Sequence, residues 1–161
     1  MRPTRSDSIH FPDSLKYTTR KLGRTVYGGG GIMPDYFIPL DTTRYTKYYR
    51  ELSAKSLIIN GNLRNLDKNR RQLTKQWKDF DSFKSGYEVP DNVIKEILRE
   101  GEKQNIMPRD DEEREQTIPQ LKLILKALTA RDLWDMSEYF SIIYQDDAVL
   151  QKAVELLSKD E

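Results

Sequence analysis

The chain has 161 residues, the length of a single domain, and its 27 basic and 26 acidic side chains leave a formal net charge of only +1. It has no cysteine and one histidine, which excludes disulfides, thiolate or paired-histidine zinc sites and a cysteine nucleophile. No apolar run is long enough to cross a membrane, and the polar start Met1-Arg2-Pro3-Thr4-Arg5 lacks the apolar stretch of a secretory signal.

The near-zero net charge conceals an asymmetry. Residues 1–80 hold 16 basic and 7 acidic side chains, a balance of +9, and residues 81–161 hold 11 and 19, a balance of −8. Such a dipole favours docking between the two halves or attracts a charged partner.

Residues 1–16 show no period. His10, between Ile9 and Phe11, reads as a surface or edge histidine rather than a catalytic one. From Tyr17 the composition turns to β-branched and aromatic residues. Tyr17–Arg20 and Thr25–Tyr27 read as two short strands, and Gly23 between them makes a hairpin. Gly28-Gly29-Gly30-Gly31 follows, then a third extended piece, Tyr36–Leu40, ended by Pro39.

Helical spacing begins after Asp41, with Asp41, Thr42 and Thr43 as competent caps. Tyr45, Tyr48, Tyr49 and Leu52 share one face. Leu57–Gly61 reads as a short apolar link and turn. Leu63, Leu66, Leu73, Trp77 and Phe80 continue a stripe, with Arg70 in the missing position. Val89-Pro90-Asp91 opens another helix that buries Val93, Ile94, Ile97 and Leu98 and ends near Gly101. Arg109–Glu115 reads as a solvated charged run. A strong stripe, Ile118, Leu121, Leu125 and Leu128, then starts a helix with Pro119 in its first turn and runs on to Leu133, Trp134 and Met136. Tyr139, Phe140 and Ile143 mark a further face. Asp146 and Asp147 cap a last helix, with Leu150, Ala153, Val154 and Leu157 at the spacing of one face. The expected fold is mainly α: an N-terminal β-hairpin or strand segment at about 17–40, followed by a bundle of five or six helices. The expected division is a strand segment over 1–41 and a helical domain over 42–161.

The glycine run does not fit a nucleotide cradle. A P-loop requires Lys and Ser/Thr after its last glycine, where Ile32-Met33-Pro34 stands here. The dinucleotide fingerprint requires a third glycine opening a helix, and Met33 occupies that place. Glycines in such a row suit a strand junction where no side chain fits.

Taken together, Thr19, Gly23, Arg24, Val26, Tyr27, Gly28, Gly29, Gly30, Gly31, Ile32, Pro34 and Asp35 form a pattern that resembles the carboxyl-terminal processing (tail-specific) serine proteases of bacteria. In that family such a stretch lies downstream of the active site and contributes strands that complete the protease core. The helical remainder is similar to the C-terminal extension of one branch of the family. The resemblance implies a parent protein with a Ser nucleophile, a Lys general base, a PDZ-like substrate-binding domain and a place in the cell envelope or periplasm.

The catalytic pair itself is not expected here. A Ser/Lys dyad works when burial lowers the lysine pKa until it accepts the hydroxyl proton. Ser14/Lys16, Ser53/Lys55 and Ser82/Lys84 all stand in charged, solvated stretches. The chain therefore reads as the C-terminal, non-catalytic part of such a protease, or a truncated product of one, inactive alone and needing no cofactor. Its expected partners are the upstream protease core and PDZ-like domain. An unpaired strand edge around Val26, Ile32, Phe37 and Ile38 also invites self-association.

Two other readings compete. One is a stand-alone helical protein-interaction module that docks a partner by strand addition. The other is nucleic-acid binding through Lys68, Arg70, Arg71, Lys75 and Lys78, interleaved with Tyr45, Tyr48 and Trp77. The acidic second half argues against the latter, and neither nucleic acid nor membrane insertion is expected.

Overall fold

A computed structural model describes residues 12–21, 23–28, 36, 38 and 45–158. The chain divides into two compact units, Met1–Thr42 and Thr43–Glu161. The fold is mainly α with a short N-terminal hairpin.

In the first unit a 3-10 turn, Asp13–Leu15, leads into β1 (Lys16–Thr18), which pairs antiparallel with β2 (Thr25–Tyr27). Lys16 faces Tyr27, Tyr17 faces Val26, and Thr18 faces Thr25. The first strand stops at Thr18 rather than reaching Arg20, because Thr19 closes the turn. Its N–H donates to Arg24 O at 2.9 Å, and its Oγ1 accepts the Arg24 N–H at 3.0 Å. Of the expected third extended piece, only Tyr36 and Ile38 are among the described residues.

The second unit contains seven helices among the described residues: α1 (Lys47–Ala54), α2 (Leu57–Gln76), α3 (Phe80–Gly86), α4 (Asp91–Lys103), α5 (Asp111–Leu133), α6 (Met136–Ile143) and α7 (Ala148–Leu157). Side-chain oxygens cap five of them. Thr46 accepts Tyr49 N–H, Asp79 accepts Ser82 N–H, Asp110 accepts Glu113 N–H, Asp135 accepts Ser137 N–H and Asp147 accepts Leu150 N–H. Each cap satisfies one of the orphan donors of a first turn. The cap of α1 is thus Thr46; Asp41, Thr42 and Thr43 lie outside the described residues.

Helix α5 is central and packs against α1, α2, α4 and α6. Leu52, Phe83, Ile97, Leu121 and Ala127 are fully buried. An aromatic group closes one side of this core. Phe83 stacks on Tyr87 with centroids 4.5 Å apart, and Trp134 and Trp77 meet Phe83 edge-on at 5.2 and 6.0 Å.

Three sequence expectations change. Leu57–Gly61 is not a link and turn but the start of α2, which runs to Gln76. Gly61 is buried where α2 crosses α4, and a Cβ there would stand 2.6 Å from Ile97 Cδ1. The stripe through Trp77 and Phe80 is not one helix. The chain extends at Trp77 and restarts at the Asp79 cap, which gives seven helices among the described residues rather than five or six. Pro119 lies inside α5, not in its first turn, because the helix already begins at Asp111. Pro119 is on the exposed face, where water can serve the carbonyl that loses its partner. Helix α7 buries none of its residues. Leu150 is 47% exposed, Val154 56% and Leu157 71%.

Candidate functional site

Of the residues that carry the protease resemblance, Thr19, Gly23, Arg24, Val26, Tyr27 and Gly28 are described, and these six lie in or beside the hairpin. Gly23 has φ +62°, the left-handed region that a side chain enters at a cost. Its N–H donates to Thr19 O at 3.1 Å. Thr19, Gly23 and Arg24 therefore form one turn: a hydroxyl acceptor, a residue free to take positive φ, and a strand entry. Val26 and Tyr17 lie across from each other and are 45% and 58% exposed. Tyr27 ends β2. Gly28 donates its N–H to Leu15 O at 2.8 Å, and a Cβ on it would lie 3.0 Å from the Tyr17 ring. Gly29, Gly30, Gly31, Ile32, Pro34 and Asp35 lie outside the described residues, as do His10 and Phe37.

None of the sequence-adjacent serine and lysine pairs makes a catalytic arrangement. Ser14, Lys16, Ser53 and Lys55 are exposed. Ser82 Oγ bonds to Asp79, capping α3. Lys84 instead reaches across the fold and donates to Ser141 Oγ at 2.9 Å. Its ammonium lies 5.8 Å from the Phe80 ring centroid. Burial lowers the pKa of Lys126, Glu88 opposes that shift, and no serine hydroxyl bonds to Lys126 among the described residues.

Several buried polar groups of the helical unit are tied into hydrogen-bond networks. The Glu113 carboxylate accepts Arg109 N–H at 2.7 Å and Tyr48 N–H at 3.1 Å. Those two bonds hold its pKa below the usual glutamate value. Thr117 Oγ1 lies 2.6 Å from Thr46 Oγ1, tying the cap of α1 to α5. Between α2 and α5, buried Thr129 bonds to Asn62 at 2.9 Å, and Asn62 donates to Asp132 at 3.0 Å. The sequence reading missed Glu113 by treating 109–115 as solvated. Its signal was the Asp110-x-x-Glu113 spacing of a capping box.

Of the three aromatics read with the basic residues of α2, Tyr45 is exposed and stacks on Tyr49 of α1 with centroids 4.8 Å apart. Tyr48 is buried, and Trp77 packs on Phe83 and Tyr87. Arg64 pairs with Glu96 at 2.7 Å, and Arg70 donates to Asp132 O at 3.0 Å. Among the described residues, no group of three or more His, Asp or Glu side chains is placed to hold a metal ion, and no helix is long and apolar enough to cross a membrane. A groove of about 640 Å³ lies between α6 and α7, lined by Phe140, Ser141, Tyr144, Leu150 and Val154 among others.

No curated protein and no solved structure matches the chain. A family model does match, over residues 48–135, from buried Tyr48 in α1 to the Asp135 cap of α6. That span is more than half of the chain and holds the α1–α5 core, so the protein belongs to the family described as a family of unknown function (DUF8443).

Proposed function

We propose that this chain is the C-terminal, non-catalytic part of a serine endopeptidase of the carboxyl-terminal processing type. In this reading the hairpin joins the sheet of an upstream protease core, and the helical unit stands beside that core in assembly or substrate access. The observation that supports it most is the hairpin. Its strands have three residues each, and its cross-strand pair, Tyr17 and Val26, is exposed. A lone two-stranded ribbon is marginal in water, so such strands suit a larger sheet. The turn that shapes the ribbon is built from Thr19, Gly23 and Arg24, residues of the same motif that resembles the protease family.

A stand-alone helical interaction module is the second reading. It is favoured by a helical unit with its own buried core, from Tyr48 to Ile142.

The in-frame sequence upstream of the Met1 codon separates the two. An open frame encoding a small-residue Ser turn and a later Lys supports the protease reading. A stop codon with a ribosome-binding site overturns it in favour of the module. Peptide hydrolysis by the isolated chain, abolished by one Ser→Ala change, would overturn the non-catalytic assignment.

A further inference from the structure

Helix α7 is amphipathic by sequence, yet its apolar side is uncovered. Leu150, Ala153, Val154 and Leu157 recur at the spacing of one helical face, and all four are exposed. Beside them, Phe140 of α6 and Tyr144, in the 3-10 turn that follows it, stack with centroids 5.3 Å apart and interplanar angle 11°, and they are 40% and 44% exposed. Leu150 and Val154 belong both to the stripe and to the wall of the α6–α7 groove. One chain thus carries an aliphatic ridge and, next to it, an aromatic-floored groove.

We propose that this face is a two-fold interface with a second copy of the chain. The extent of the surface is the first argument. At about 150–200 Å² for a fully exposed side chain, Phe140, Tyr144, Leu150, Val154 and Leu157 leave roughly 450 Å² of apolar surface in water. That is well within the range for the largest patch on a monomer, about 300–600 Å², which is often functional. It is also more than half of the ~800 Å² per partner of a stable interface, and the polar rim of Ser137, Gln145 and Gln151 extends it.

The second argument is self-complementarity. A two-fold contact requires that one patch match itself. Two α7 helices laid antiparallel bring Leu150 opposite the other copy's Leu157, and Ala153 opposite its Val154. The ridge of each copy then faces the Phe140–Tyr144 floor of the other. The charges nearby do not oppose this. Lys152 and Glu155, on α7 itself, pair with each other at 2.8 Å, so Glu155 brings no uncompensated charge to the groove edge.

Sedimentation of the full chain, from a few micromolar to about 0.5 mM, tests the proposal. The expected result is a reversible monomer–dimer equilibrium. Leu150→Glu combined with Leu157→Glu weakens it at least about tenfold. At concentrations where the wild type is monomeric, the helical circular dichroism and unfolding midpoint stay unchanged, because α7 buries no residue in the monomer. Val26→Lys, in the hairpin, leaves the dimer intact. Because the chain has no cysteine, Ala153→Cys adds one unique thiol, and a short bis-maleimide should couple two copies through it. A wild-type chain that stays monomeric at the highest concentration overturns the proposal and leaves the face to a different partner. A dimer that survives the double glutamate variant, or that Val26→Lys abolishes, overturns it equally.

Discussion

Glu113 on α5 accepts the backbone N–H of Tyr48 on α1 at 3.1 Å, across 65 residues of sequence. Its second oxygen accepts Arg109 N–H at 2.7 Å. One carboxylate therefore holds the first turn of α1 and the loop that enters α5. Both donors are backbone groups that would otherwise stand unsatisfied beside a buried side chain. Glu113→Ala should lower stability by about 1–3 kcal/mol, the cost of leaving such donors unpaired. Chemical denaturation at pH 7 measures it.

The same contact sets a pH dependence. The two N–H bonds depress the Glu113 pKa in the folded state. Its contribution is therefore complete above the unfolded value of about 4.3 and is lost as pH falls through the lower folded value. Glu113→Gln should flatten the loss of stability below about pH 4.3 without abolishing it. The Asp79, Asp110 and Asp135 caps are also depressed, each by hydrogen bonding, to Ser82, to Arg109 and Glu113, and to Ser137 respectively. An unchanged acid limb in the Gln variant would show that Glu113 does not carry this effect.

Much of the helical architecture was legible because its signals are local. The apolar faces of α4 and α5 repeat at 3.6-residue spacing, and the Asp147 cap of α7 is a short-range pattern. What escaped depends on contacts between distant residues. Asn60-Gly61 resembles a turn by composition, but Gly61 is needed where α2 meets Ile97. Arg109–Glu115 looks solvated, yet only Tyr48 of a distant helix explains why Glu113 is buried. The α7 stripe has core periodicity, and periodicity cannot say whether a partner is present in the same chain. At the hairpin, Gly23 marks the turn locally, whereas the hydroxyl role of Thr19 requires the Arg24 N–H to fold back on it.

The α2–α4 crossing leads to a packing prediction. A methyl on Gly61 would stand 2.6 Å from Ile97 Cδ1 and closer still to Cγ1, and Ile97 is fully buried. In an exposed helix, Gly→Ala gains up to about 1 kcal/mol. Here overpacking should reverse the sign, so Gly61→Ala should destabilise by about 1–3 kcal/mol. Ile97→Ala makes room for that methyl. The double variant should then be more stable than the two single losses added together, and the coupling in a double-mutant cycle measures the clash.

The hairpin turn separates conformation from space. Nothing lies within 4 Å of a Cβ built on Gly23, so only its φ of +62° penalises a side chain. Gly23→Asn should preserve the β1–β2 register, because Asn tolerates this region, and Gly23→Val should lose it at a cost of about 1–2 kcal/mol. Thr19→Ala removes the acceptor of Arg24 N–H and should weaken the same register. Nuclear Overhauser contacts between Tyr17 and Val26 report all three variants. Intact contacts in the Gly23→Val chain would mean that the turn does not depend on glycine.

Asn105 ends α4 with φ +59°. Its N–H donates to Glu102 O at 3.0 Å, and Ile106 N–H donates to Gly101 O at 2.9 Å. This paired closure of a helix end normally uses glycine at the position of Asn105. Gly101 is constrained for another reason, since a Cβ there would lie 2.8 Å from Leu52 Cδ2. The turn drops Ile106 into the core and points the chain at Arg109, whose N–H Glu113 receives. Asn105→Gly should relieve the left-handed strain and raise the urea midpoint, by less than the ~1–2 kcal/mol that this region costs an ordinary residue, because Asn tolerates it and glycine frees the unfolded chain. Asn105→Val should lower it by more than that, with an unchanged denaturant slope. A changed slope in the Asn105→Val chain would mean that the α4–α5 loop had come loose from the core, so that the turn decides where α5 begins as well as where α4 stops.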